Sequence, residues 1–90
     1  MTTKLLQELI VSCIIDDACF FNPKFVGRDD LNAEFAAVCC DYIEQHLICE
    51  WGMYNNRYLD EATPRQQRAS VKWAPVIKAM IYKRLCVSLA

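Results

Sequence analysis

The fold is decided first by residues 3–21, TKLLQELIVSCIIDDACFF, which Asn22-Pro23 follows directly. Apolar residues recur there every three or four positions, the spacing of one helix face. They are Leu5, Leu6, Leu9, Ile10, Cys13, Ile14, Ala18 and Phe21. Thr2 or Thr3 supplies an N-cap, and the residue before a proline avoids helical geometry. We therefore expect a first helix from about Thr3 to Phe21.

One charge in this helix, Asp17, projects into the middle of the apolar face at 100° per residue. Two interpretations follow. Either the helix frays near its end and the carboxylate reaches water, or the carboxylate is buried opposite a basic residue. The sequence leaves both open.

A second helix is predicted from a cap at Asp29 or Asp30 to about Trp51, after a connector in which Gly27 gives backbone freedom. Its polar strip, near Glu34, Asp41 and Gln45, is narrow. The apolar positions are Leu31, Phe35, Ala36, Val38, Cys40, Tyr42, Ile43, Leu47 and Cys49. A helix that is apolar on most sides is either central in a bundle or partly an oligomer interface.

The start of a last helix is marked by Thr63-Pro64-Arg65-Gln66, in which Thr63 fits the N-cap, Pro64 the first helical position and Gln66 a capping box. Pro75 lacks a backbone donor, so the helix either kinks or splits there. The expected inner positions are Ala69, Trp73, Val76, Ile77, Met80, Ile81 and Val87.

Composition supports an all-α fold, because 2 Gly and 3 Pro in 90 residues leave few turns for a β-structure. We expect one domain, residues 1–90, folded as a compact bundle of three or four helices, with the last helix kinked or split near Pro75. The apolar content of 54% excludes disorder and mildly suggests an apolar face beyond the core.

The state of the six cysteines follows from the compartment in which the sequence places the protein. The longest apolar runs are too short to cross a membrane, and the acidic and amide residues near the start do not fit a signal peptide. We therefore expect a cytoplasmic protein with free thiols and no membrane partner. Three disulfides are the alternative for a secreted chain. The six are Cys13, Cys19, Cys39, Cys40, Cys49 and Cys86.

Charge is segregated along the chain, although the net charge is only -1. Residues 1–62 hold 4 Lys or Arg against 11 Asp or Glu, a net of −7, whereas residues 63–90 hold 6 Lys or Arg and no acid, a net of +6. On an unbroken helix Arg65, Arg68, Lys72 and Lys83 share one edge. Either this edge packs against the acidic helices of the same molecule, or it faces outward toward an acidic partner.

Catalytic and metal motifs are weak. Gly27 and Gly52 stand alone, so phosphate-binding loops are excluded. His46-x-x-Cys49, with Cys39 seven residues before His46, could contribute to a zinc site or a nucleophile, but further ligands or an oxyanion hole would be needed. We predict no metal, no cofactor and no enzymatic activity.

The most distinctive segment for binding is residues 51–58, WGMYNNRY, because Trp, Tyr and Arg are enriched at binding hot spots. Either its aromatics cover one end of the core or they form a recognition patch continuous with the basic edge. The predicted partner-binding residues are Trp51, Tyr54, Arg57, Tyr58, Arg65, Arg68 and Lys72.

By elimination, the sequence favours a small protein-binding regulator. Its partner would be another protein, and it would act as an inhibitor, an adaptor, an anti-activator or an immunity-type factor. Compact helical chains of this size are typical of phage- and plasmid-encoded inhibitors. The alternatives are a nucleic-acid-binding regulator that uses the basic last helix and a self-associating module such as a homodimer.

Overall fold

Helix α1 spans Thr3–Phe21, as predicted. The computed structural model describes the backbone of residues 2–47 and 64–88, and the side chains of residues 2–47 and 72–88. Thr2 caps α1, because its hydroxyl accepts a hydrogen bond from the Leu5 N–H at 3.1 Å. The helix ends at Asn22, whose backbone N–H and side-chain amide both donate to the Ala18 carbonyl.

Two short 3-10 turns, Pro23–Phe25 and Asp29–Leu31, lead from α1 into the second helical region. Gly27 lies between them with φ 70°, a conformation that glycine adopts without strain. The predicted cap at Asp29 or Asp30 is wrong, because Leu31 precedes the next helix and no side chain caps it. The Asp30 carboxylate instead binds the Arg28 guanidinium at 2.8 and 3.0 Å.

The predicted second helix is interrupted. Helix α2 spans Asn32–Cys40, a turn follows at residues 41–42, and residues 43–47 are again helical. At the turn, the Asp41 and Tyr42 N–H groups donate to carbonyls three residues back rather than four, which tightens the chain. The continuous helix predicted from Asp29 or Asp30 is therefore wrong within the described residues, and its expected end at Trp51 lies outside them.

The last helix, α3, spans Pro64–Arg84 and contains Pro75. A split at Pro75 is therefore wrong. Pro75 is exposed, so the carbonyl that it leaves without a donor can bond to water on the solvent side. The predicted first helical position, Pro64, is confirmed, while Thr63 lies outside the described residues.

Helix α3 ends in a Schellman motif. The Val87 N–H donates to the Tyr82 carbonyl and the Cys86 N–H to the Lys83 carbonyl. Cys86 takes the left-handed position, φ 56°, which glycine usually fills. Two side chains anchor this end, because Asn32 donates to the Leu85 carbonyl and Arg84 donates to the Ser12 hydroxyl.

These helices form an all-α bundle, with no strand among the described residues. One core joins α1, α2, the helical residues 43–47 and α3. Its buried apolar side chains are Ile10, Val11, Ile14, Ala18, Phe25, Phe35, Cys39, Ile43, Leu47, Ile77 and Ile81. Burying a side chain as fully as Ile14 stabilises the folded state by roughly 1.5–3 kcal/mol relative to leaving it exposed.

Part of the predicted inner face of α1 and of α3 points to solvent. Leu5, Leu9 and Phe21 are 55%, 42% and 65% exposed, and Val76 is 43% exposed. The prediction for these four positions is wrong, because neighbours cover a narrower arc of each helix than its apolar residues occupy. The apolar surplus seen in the composition therefore lies partly on the surface.

Candidate protein-binding surface

The solvent side of α3 carries an apolar strip between two lysines. We call it the outer face of α3. Its residues are Lys72, Pro75, Val76, Ala79, Met80 and Lys83. All of them except Lys72 line a shallow, open groove whose walls consist mainly of apolar atoms. Lys72 and Lys83 are exposed and stand eleven residues apart, about 16 Å along a helix.

Helical register explains why these side chains share one surface. Ile77 and Ile81 are completely buried and turn the opposite side of α3 into the core. Lys72, Val76 and Lys83 follow one another by four and seven residues, so they differ by only about 40° around the helix axis. The sequence had assigned Val76 and Met80 to the core. Val76 is instead exposed, whereas Met80 is half-buried and packs against the core as predicted.

The cations of this face have no carboxylate partner among the described residues. Among the described residues, the two pairs at ion-pair distance are Arg28 with Asp30 and His46 with Asp17. Neither includes a residue of α3. The charge compensation within one molecule, expected as one alternative, is therefore not made by direct ion pairs in the part of α3 whose side chains are described.

The other cations of α3 serve different contacts. Lys78 lies over the Tyr82 ring, 5.8 Å from its centroid. Arg84 donates to the Ser12 hydroxyl at 2.7 Å and thereby ties α3 to α1. The two cations with no such contact among the described residues, Lys72 and Lys83, are those on the outer face.

The structure places only some of the predicted binding residues. Lys72 lies on the outer face of α3. Arg65 and Arg68 lie on α3, seven and four residues before Lys72 and therefore near the same stripe of the helix, but their side chains are outside the described part. The aromatic segment is also outside it, and its residues are Trp51, Tyr54, Arg57 and Tyr58.

A polar contact joins α1 to the helical residues 43–47. Asp17 Oδ2 lies 2.8 Å from His46 Nε2, and the side chains are 50% and 11% exposed. Asp17 thus combines features of both expectations. Its carboxylate reaches water, as one interpretation predicted. It also faces a basic residue, His46, as the other interpretation predicted. This contact links α1 to the helical residues 43–47 at the edge of the core.

The thiols of Cys39 and Cys40 are poor candidates for nucleophilic chemistry. Burial raises the pKa of the Cys39 thiol from 9.0 to about 12, with smaller contributions from neighbouring Cys40 and Cys19. Burial also raises the pKa of Cys40, while nearby Lys78 opposes the shift. A thiol with a raised pKa stays protonated at neutral pH, and the thiolate is the reactive form. Within residues 2–47 and 72–88, no three metal-ligating side chains cluster.

Cys19, Cys39, Cys40 and Cys86 form no disulfide. Cys49, which could have joined His46 in a zinc or nucleophile site, lies outside the described residues. The structure therefore does not test that pairing.

A second depression lies between the end of α1, the connector and the end of α3. Its floor includes Phe25 and Phe35, whose ring centroids are 5.1 Å apart. The amide of Asn32 and the guanidinium of Arg84 line it, but both already hold the end of α3. These polar groups stabilise the fold, so the depression is a weaker candidate than the outer face of α3.

Comparison with known proteins assigns no relationship: no family model, curated protein or solved structure matches the chain. In the described part of the chain, no helix has the length and apolar character that a membrane span requires.

Sequence reasoning found the cations of this surface and missed its apolar centre. Val76 satisfies the helical spacing of a core face, and pattern alone cannot separate a core stripe from an exposed one. Pro75 is the signal that could have helped, because a proline inside a helix is best tolerated on the solvent side.

Proposed function

We propose that this protein is a small non-enzymatic regulator that acts by binding another protein through the outer face of α3. Inhibitor, adaptor, anti-activator and immunity-type roles all fit this proposal, and the sequence character favours a phage or plasmid origin and a cytoplasmic location. The observation that carries it is the exposed Val76 strip between Lys72 and Lys83, neither of which has a carboxylate partner among the described residues.

The chemistry of this surface favours a partner that is both apolar and acidic. Burying Val76 with Ala79 and Met80 would supply the favourable apolar contact. The flanking lysines would attract carboxylates at the rim, which contributes more to specificity and association rate than to affinity. Such a surface suits an acidic helix or strand edge that presents apolar side chains at its centre.

A nucleic-acid partner is the second candidate, since α3 carries six cations and no acid. Phosphates would need cations along the whole contact. Here the two lysines are separated by three helical turns with an apolar centre, which nucleic-acid backbones do not match. We therefore rank a protein partner first.

Symmetric pairing of α3 with α3 of a second copy is a poor fit. In an antiparallel arrangement about a two-fold axis, Lys72 of one copy would oppose Lys83 of the other, and in a parallel one each lysine would oppose itself. Like charges directly opposed are unfavourable. The partner of this face should therefore carry the opposite charge.

The test is capture from nuclease-treated lysate of the native host by the tagged full chain, followed by reconstitution with the captured protein in purified form. We expect capture to survive nuclease. Binding should fall at least tenfold for the double variant Lys72→Glu/Lys83→Glu and for Val76→Asp. Helical circular dichroism should remain unchanged in each variant.

Lys4→Glu is the matched control, since it makes the same charge reversal at an exposed lysine on α1. Binding that is lost equally with Lys4→Glu, or that persists in both outer-face variants, would refute the choice of surface. Recovery of nucleic acid alone would replace the proposal with the second candidate.

A further inference from the structure

A second exposed apolar stripe lies on α1. We call it the outer face of α1 and define it as Leu5, Leu9, Asp16 and Phe20. The three apolar side chains are 55%, 42% and 76% exposed, and Asp16 is also exposed. At 100° per residue these four positions fall within about 60° of one another around the helix axis. Isolated exposed apolar residues are ordinary, but an aligned set indicates a contact surface.

This stripe has the chemistry that the outer face of α3 would bind. It joins exposed apolar side chains to a carboxylate, whereas the outer face of α3 joins them to lysines. Asp16 has no ion-pair partner among the described residues, because the carboxylates paired there are those of Asp17 and Asp30. The two surfaces therefore complement each other in charge and resemble each other in apolar content.

The spacing along the two helices also matches. Leu9 and Asp16 are seven residues apart on α1, and Val76 and Lys83 are seven residues apart on α3. Seven residues correspond to two helical turns, about 10.5 Å. With Leu9 of one copy placed on Val76 of another, Asp16 falls beside Lys83.

We propose that a second copy of this chain docks the outer face of α1 onto the outer face of α3, so that the protein self-associates head to tail. The segregation of charge along the chain, −7 before residue 63 and +6 after it, supports this polarity. The contact is heterologous, so a pair of copies keeps one free outer face of α1 and one free outer face of α3, and growth continues unless a ring closes. A second copy of the chain and the protein partner would compete for the outer face of α3.

The association should be weak, because one pair of helix faces is smaller than a standard stable interface. We expect a monomer at low micromolar concentration and higher-mass species as the concentration approaches millimolar. Because the contact depends on charge, added salt should shift the equilibrium toward monomer.

Sedimentation velocity of the full chain across this concentration range, in reducing buffer, tests the inference. Asp16→Lys should abolish self-association, and so should Lys72→Glu/Lys83→Glu, because each variant places like charges opposite each other. An equimolar mixture of the two variants should associate again, since each reversed face then meets its complement. Glu34→Lys, at an exposed carboxylate on α2, is the matched control and should associate like the native chain.

A native chain that remains monomeric over the whole range would overturn the inference. So would self-association that survives either reversal, or a mixture of variants that remains monomeric. The proposed function is judged separately, since Asp16→Lys should leave capture of the protein partner intact. Capture that depends on α3 without any self-association would leave the proposed function standing and remove only this inference.

Discussion

At the scale of single residues, the contact between Asp17 and His46 gives a charge in an apolar stripe a structural role. The two side chains meet at 2.8 Å and join α1 to residues 43–47. The sequence could place Asp17 on the core side of α1 but could not choose its partner. Pairing across the bundle depends on how the helices pack, which helical periodicity does not encode.

We predict that Asp17→Asn lowers the free energy of unfolding by roughly 1 kcal/mol. The loss is modest because the Asp17 side chain is 50% exposed to solvent. Urea unfolding measures it. The control is Asp16→Asn, the same change at the neighbouring exposed carboxylate, and it should cost less than about 0.5 kcal/mol. Equal losses at both positions would show that the contact contributes nothing specific.

The buried thiol of Cys39 should leave a signature at alkaline pH. Its pKa is raised to about 12 in the folded protein from an ordinary 9.0, so the unfolded chain loses this proton at lower pH. The stabilising contribution is complete below about pH 9 and declines as pH rises toward 12. Comparing the pH dependence of unfolding for the native chain and Cys39→Ala should show a shallower decline in the variant. Parallel curves would contradict the assigned burial effect.

At the scale of helices, the end of α3 carries local strain that can be relieved. Cys86 occupies the left-handed position of a Schellman motif with φ 56°. We predict that Cys86→Gly raises the free energy of unfolding by roughly 0.5–1 kcal/mol, because glycine adopts this conformation without steric cost. Thermal and urea unfolding would measure the gain. Cys86→Ala removes the thiol but keeps a Cβ atom, so an equal gain from that variant would assign the effect to the thiol instead.

The helix boundaries show which signals a sequence carries well. The bounds of α1, its Thr2 cap and the Pro64 start of α3 were all predictable, because caps and prolines act through neighbouring backbone atoms. The interruption of the second helix at residues 41–42 was not. The backbone tightens there, and Asn22 donates to the Tyr42 hydroxyl, a tertiary contact that helical periodicity does not encode.

The inner and outer sides of the helices were only partly predictable. Ile10, Ile14, Ile77 and Ile81 lie in the core as expected. Val76 and Leu9 were assigned to the same faces and lie at the surface. A side chain is buried only where a neighbouring helix covers it. Where an apolar stripe is wider than the covered part of the helix surface, the residues at the margin of the stripe stay exposed. That margin includes Val76, at the centre of the proposed binding surface.

At the scale of the whole molecule, the separation of acidic and basic residues suggests a protein whose contacts are steered by charge. We predict that the association rate with its protein partner falls about tenfold or more as salt is raised from low to physiological concentration. The dissociation rate should change less, since apolar contact at Val76 holds the complex together. Surface plasmon resonance separates the two rates. A salt effect confined to dissociation would argue against steering by the outer face of α3.

The central claim, that the outer face of α3 is the surface that binds a protein, is tested most directly by lysine footprinting. The tagged chain would be acylated alone and after capture from nuclease-treated lysate, and the modification of each lysine would be measured by mass spectrometry. Lys72, Lys78, Lys83 and Lys4 are all exposed in the isolated chain. We predict that Lys72 and Lys83 become protected on binding while Lys78 and Lys4 keep their reactivity. Protection of Lys4 or Lys78 with Lys72 and Lys83 still reactive would contradict the account.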